Sequence, residues 1–115
     1  MSMRNVLDID GYSAVVSYDP ETNLLRGEFI GLNGGADFYA DNVAALFEEG
    51  RNSLTLFLEV CRERGIAPRK NFSGKFQMRL DPSVHEKATV AAAARGTSLN
   101  ALIEEAVQHE LEAVA

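Results

Sequence analysis

The chain has 115 residues, short for two fully independent cores, and its hydrophobic share of 46% is ordinary for a folded globular protein. It holds no apolar run long enough to span a bilayer and no N-terminal succession of charged, apolar and small residues, so neither membrane insertion nor secretion is expected. A net charge of −6 argues against indiscriminate nucleic-acid binding, and the lone Cys61 excludes an internal disulfide and cannot by itself build a thiolate metal site, which fits a reducing cytoplasm.

In chain order, Tyr12 to Tyr18 reads as a strand, Asp19-Pro20-Glu21-Thr22-Asn23 as a turn, and Leu24 to Ile30 as the second arm of a hairpin. Gly31 to Gly35 is loop and Ala36 to Ala40 a short third strand. Asp41-Asn42 is a capping site ahead of a helix in which Val43, Leu46, Phe47, Leu54, Phe57, Leu58 and Cys61 keep helical spacing through Gly50. Gly65 to Asn71, with Pro68 inside it, breaks that helix and forms a linker, which places a boundary between an N-terminal domain, 1–70, and a C-terminal domain, 71–115.

Beyond the linker, Gly74 to Asp81 alternates: Phe76, Met78 and Leu80 on one face, Lys75, Gln77 and Arg79 on the other. A lone strand has unsatisfied backbone groups, and the segment is too small for a full core, so its expected partner is the same strand of a second chain. Two such strands, antiparallel across a two-fold axis, form a ribbon whose polar face suits the major groove, where arginine or lysine pairs with guanine and glutamine with adenine. Lysine on an edge strand also serves simply to discourage aggregation. Gln77 discriminates, because an amide that both donates and accepts is what base reading requires and solubility does not.

Asp81-Pro82 stops the strand and starts a helix, with Asp81 as N-cap and Pro82 at the first helical position; Ser83 to Glu86 offers an alternative start as a capping box. Val84, Ala88, Ala91 and Ala92 recur at helical spacing, and their small side chains imply close approach of another helix. Gly96 ends this helix and Thr97 or Ser98 caps the next, whose stripe is Leu99, Leu102, Ile103, Ala106, Val107 and Leu111. The amides at that helix start, with Ser98 and Asn100, are suited to a DNA phosphate. The expected dimer core is Phe76, Met78, Leu80, Leu102, Ile103 and Val107.

Phe72 to His85, followed by the alanine-rich helix and Gly96-Thr97-Ser98-Leu99-Asn100, resembles the ribbon-helix-helix domain of the HicB family of antitoxins. The resemblance extends back through Gly11-Tyr12, Leu25 to Glu28, Ile30-Gly31-Leu32 and the helix ending Cys61 to Gly65, so it covers nearly the whole chain. It implies an α+β protein with a degenerate ribonuclease-H-like N-terminal domain that blocks a small RNA-cleaving toxin, HicA, and a dimeric C-terminal domain that represses the operon. The implied partners are operator DNA, a small basic toxin and a second copy of the chain, as a homodimer or higher even oligomer, with no membrane and no cofactor.

Charge distribution agrees. Arg62 to Arg79 carries six basic residues against the single acid Glu63, whereas residues 1–71 as a whole hold seven basic and eleven acidic residues, which suits a basic, RNA-binding partner. Two other classes stay open: a stand-alone regulator of the same fold whose N-terminal domain oligomerises or senses a ligand, and a metal-dependent nuclease. For the latter, Asp8, Asp10, Glu28 and Asp37 are the candidate ligands, with Asp8 and Asp10 expected on one strand face. Nothing in the sequence brings Glu28 or Asp37 to them, and His85 and His109 have no neighbour at ligand spacing, so no enzymatic activity is expected.

Overall fold

The structure is a computed structural model that describes residues 4–114. It is of the α+β class, with four strands and three helices: β1 (Val6–Ile9), β2 (Tyr12–Asp19), β3 (Leu24–Phe29), β4 (Asp37–Ala40), α1 (Val43–Arg64), α2 (Pro82–Ala94) and α3 (Leu99–Val114). The described residues form two compact units, residues 4–72 and 73–114. No helix among them is long and apolar enough to cross a membrane.

In the first unit the strands form an antiparallel meander in chain order. β1 is an addition to the three strands expected. It pairs Ile9 with Tyr12 and Val6 with Val15, and the two residues between the strands, Asp10 and Gly11, take φ values of 51° and 86°. Two left-handed residues give the hairpin turn whose twist matches the strands, and Asp-Gly is among its preferred sequences. Asp8 Oδ1 accepts the Gly11 amide at 2.8 Å. Asp10 therefore sits in the turn and does not share a strand face with Asp8. At the next hairpin Asp19 accepts from the Glu21 amide and the Thr22 hydroxyl, and Tyr18 donates to Asn23, whose φ is 56°.

Strand alternation puts Leu7, Ile9, Ala14, Val16, Leu25, Phe29, Phe38 and Ala40 on one face, where they pack with Leu46, Leu54, Phe57 and Leu58 of α1. Phe38 is seated by two glycines. A Cβ on Gly27, its cross-strand partner, would collide with the Phe38 ring, and one on Gly50 of α1 would lie 2.9 Å from that ring and 2.5 Å from Ile9 Cδ1. Gly50 is thus a point of close helix-to-sheet approach, which is why α1 runs through it at no loss of packing. Asn42 caps α1 by accepting the Ala45 amide at 2.8 Å, and Gly65, φ 66°, ends it as the amides of Gly65 and Ile66 turn back to the carbonyls of Arg62 and Cys61.

The second unit starts with a segment, Ser73 to Leu80, that belongs to no strand. The strand expected at Gly74 to Leu80 is not formed within one chain, which offers it no backbone partner. Asp81 caps α2, accepting from the Ser83 amide at 2.9 Å and the Ser83 hydroxyl at 2.7 Å, so the helix starts there and not at Ser83. Gly96, φ 68°, closes α2 as the Thr97 amide reaches back to Ala92, and Ser98 caps α3 by accepting the Ala101 amide at 3.0 Å. Ala92 is the one buried side chain in residues 73–114.

Candidate functional site

Alternation along residues 75–79 leaves every side chain of that stretch exposed, the polar set Lys75, Gln77 and Arg79 as well as the apolar set. Phe76 is 81% exposed and Met78 49%, high values for side chains of this type. Val107 on α3 is 46% exposed, while Leu80, Leu102 and Ile103 are half-buried. An open groove of about 540 Å³ gathers Phe76, Met78, Ile103 and Val107 with Lys75 and Asn100. Four of the six residues expected in a dimer core therefore meet at one apolar groove. Gln77 and Arg79 share a second depression of about 460 Å³ with Met78, so the base-reading candidates lie together.

At the start of α3 the Ser98 Oγ is engaged by its own helix through Ala101, and its O–H remains able to donate outward. Ser98 and Asn100 are both exposed, and the first amides of α3 lie beside them, the part of a helix that attracts an anion. Asp81 is held below the usual carboxylate range by hydrogen bonds from the Ser83 hydroxyl and amide, then the Val84 amide, which favours its charged form at the α2 N-terminus.

The basic run from Arg62 to Arg79 is divided between the two units. Arg62 and Arg64 occupy the last turn of α1, where cations complement the helix dipole. Arg69 lies 3.8 Å above the Tyr12 ring and donates to the Gly11 carbonyl at 3.0 Å. Lys75 and Arg79 fall in the second unit. Sequence spacing gives no hint of the Arg69 contact, whose partners lie 57 and 58 residues away along the chain.

The acidic candidates resolve into separate structural roles. Glu28 and Asp37 face each other across β3 and β4, and Arg26 bridges them at 3.0 and 3.2 Å. The hydrogen bond from Arg26 to Asp37 chiefly, with help from the charge of Glu28, raises the guanidinium pKa further above its ordinary value. Asp8 serves the β1–β2 turn, and Asp10 pairs with Arg51 at 3.5 Å. Among the described residues no three His, Cys, Asp or Glu side chains converge as a metal site. The Arg26 triad was missed because register, not spacing, brings its members together.

A one-sided antiparallel sheet backed by a helix, followed by a helical pair whose apolar face stays open beside a polar segment, defines a two-unit α+β protein. The family model described as the HicB family matches residues 57–107, from the last third of α1 to the middle of α3, and over that stretch the chain is similar to the HicB family. That likeness points to a toxin–antitoxin-related function, with a toxin as partner in general. No curated protein and no solved structure matches the chain.

Proposed function

We propose that this protein is the antitoxin of a type II toxin–antitoxin pair: residues 4–72 bind and neutralise a small, basic, RNA-cleaving toxin, and residues 73–114 dimerise as a ribbon-helix-helix unit that represses the operon. The observation that carries the reading is the open groove of the second unit. A segment of this size with one buried side chain and Phe76, Met78 and Val107 in solvent cannot bury enough surface alone, and a second copy supplies both the missing apolar partner and the missing strand. Pairing through Phe76, Met78 and Leu80 leaves Lys75, Gln77 and Arg79 on the outer face of the ribbon, with Ser98, Asn100 and the α3 N-terminus for backbone phosphates.

The N-terminal unit is assigned a binding and not a catalytic role. Arg26 places a fixed cation between Glu28 and Asp37, where a nuclease would need a metal. Acidic residues outnumber basic ones in this unit, which complements a toxin that must itself attract RNA.

Titration of variants against operator and scrambled duplexes at several salt concentrations tests the DNA assignment. Gln77→Ala and Arg79→Ala should each cost roughly 1–3 kcal/mol on the operator and little on scrambled DNA. Ser98→Pro should weaken both duplexes alike and flatten the salt dependence, and Lys75→Ala should do the same if Lys75 reaches a phosphate and should spare scrambled DNA if it reaches a base. Equal losses on the two duplexes for Gln77→Ala and Arg79→Ala would show that this face does not read sequence.

A further inference from the structure

The stretch that reads as an interdomain linker, Gly65 to Asn71, is fastened along the first unit. The Asn33 amide donates to the Pro68 carbonyl and the Lys70 amide to the Gly31 carbonyl, both at 2.9 Å, forming a bridge between Leu32 and Arg69. The Asn33 side-chain amide reaches the carbonyls of Ala67 at 2.8 Å and Arg69 at 3.0 Å. From the other side, Arg69 stacks on Tyr12 and donates to the Gly11 carbonyl. The ring of Phe72 then lies beside Gly31, within 3.7 Å of where a Cβ there would stand. Five hydrogen bonds and a cation–π contact thus hold a segment whose composition alone predicts freedom.

The loop Gly31-Leu32-Asn33-Gly34-Gly35 is what receives it. Leu32 is buried in the core and anchors the loop, while Gly34, at φ 151°, brings its backbone so close to Phe57 that a Cβ would lie 2.9 Å from the ring. Loop and segment form one small platform on the first unit. Past Phe72 comes Gly74, at φ 84°, with no neighbour within 4 Å of a built Cβ.

We propose that Asn33 and Arg69 form a clasp that makes residues 66–72 part of the first unit and confines the joint between the two units to Ser73 and Gly74. The clasp sets the tether length. Two extended residues reach about 7 Å, whereas release of the chain from Ile66 onward would free nine residues and about 30 Å. A partner held on the first unit is thereby kept within a short tether of the segment 75–79. This inference does not depend on what that segment binds.

Backbone amide exchange and ¹⁵N relaxation on the full chain test it. In the wild type the Asn33 and Lys70 amides should exchange at least ~10-fold more slowly than those of Ser73 and Gly74, and order parameters for residues 69–72 should match the sheet, near 0.85, with a drop at Ser73 and Gly74. In Asn33→Ala and in Arg69→Ala the low-order stretch should extend back towards Ile66 while Val16 and Leu46 keep their protection. Fast exchange at Lys70 in the wild type would overturn the clasp outright, as would order at residues 69–72 that is unchanged in both variants. Should one variant lose its fold, the other and the wild-type comparison still decide.

Discussion

Gly50→Ala should destabilise the first unit although it replaces glycine by the best helix former in the middle of α1. On an exposed helical site the exchange would stabilise by about 1 kcal/mol. Here the added Cβ would stand 2.5 Å from Ile9 Cδ1 and 2.9 Å from two atoms of the Phe38 ring, against ordinary contacts of 3.4 Å or more. Neither neighbour can easily retreat, because Ile9 is fully buried and the Phe38 ring is wedged against Gly27. Overpacking of this kind costs roughly 1–3 kcal/mol, and two immobile neighbours put this case toward the upper end, for a net loss of about 1–2 kcal/mol after the helix-propensity gain. For a domain of this size that lowers the melting temperature by roughly 5–15 °C. The chain has three tyrosines, Tyr12, Tyr18 and Tyr39, all in the first unit, and no tryptophan, so tyrosine fluorescence follows this unit alone. Ile9→Val removes the very atom that is struck. Alone it should cost about 0.5–1.5 kcal/mol, and in the Gly50→Ala background distinctly less, a coupling of about 1 kcal/mol. Additive single effects, or a stabilised Gly50→Ala, would refute the close-approach account.

Three further outcomes are expected. Met78→Asp places a charge in the proposed shared core and should weaken self-association by roughly 100-fold or more, about 3 kcal/mol, with the tyrosine melting curve unchanged; sedimentation measures it, and undiminished association would remove Met78 from the interface. Asp81 has its pKa lowered by folding, so its contribution to α2 is complete above the ordinary aspartate range and fades as pH falls through the lower folded value. Asp81→Asn, which still caps but does not titrate, should flatten the acid limb of the helical signal, and an unchanged limb would locate the titration elsewhere. A fragment of residues 1–72 should keep the tyrosine melting transition and bind the basic toxin while losing operator DNA; retained operator binding in a gel shift would reassign DNA recognition to the first unit.

Much of the fold is written in local pattern. The two-residue alternation of β2 and β3, the cap at Asn42 and the stop at Gly65 each leave a signature that needs no distant partner. β1 was not read from the sequence: Val6-Leu7-Asp8-Ile9 is so short that alternation hardly distinguishes it from a loop, and Asp10, expected on a strand face with Asp8, forms the hairpin turn with Gly11. Contacts set by tertiary register were not legible. Glu28 meets Asp37 because β3 and β4 align at one register and no other, and Arg69 meets Tyr12 where Asn33 holds the linker against the first unit. The glycines show the same divide: Gly65 and Gly96 announce helix ends by position, whereas Gly27 and Gly50 acquire meaning only when Phe38 is seen between them.

The two units meet the shortage of core differently, and this bears on function. The first closes a sheet over a 22-residue helix and buries Ile9, Ala14, Phe29, Leu32, Phe38, Leu46 and Leu54 together, so it can hold a partner-binding surface on its own. The second has a good cap on each helix and a glycine stop after α2, yet only Ala92 is buried. Caps fix where helices begin; they do not supply the apolar burial that keeps short helices folded. If the second unit dimerises as proposed, its folding is linked to association by mass action, and whatever lowers the concentration of pairs also lowers the amount of ordered segment 75–79. On the proposed reading, repression tracks the concentration of the protein through assembly, while partner binding by the first unit needs no assembly at all.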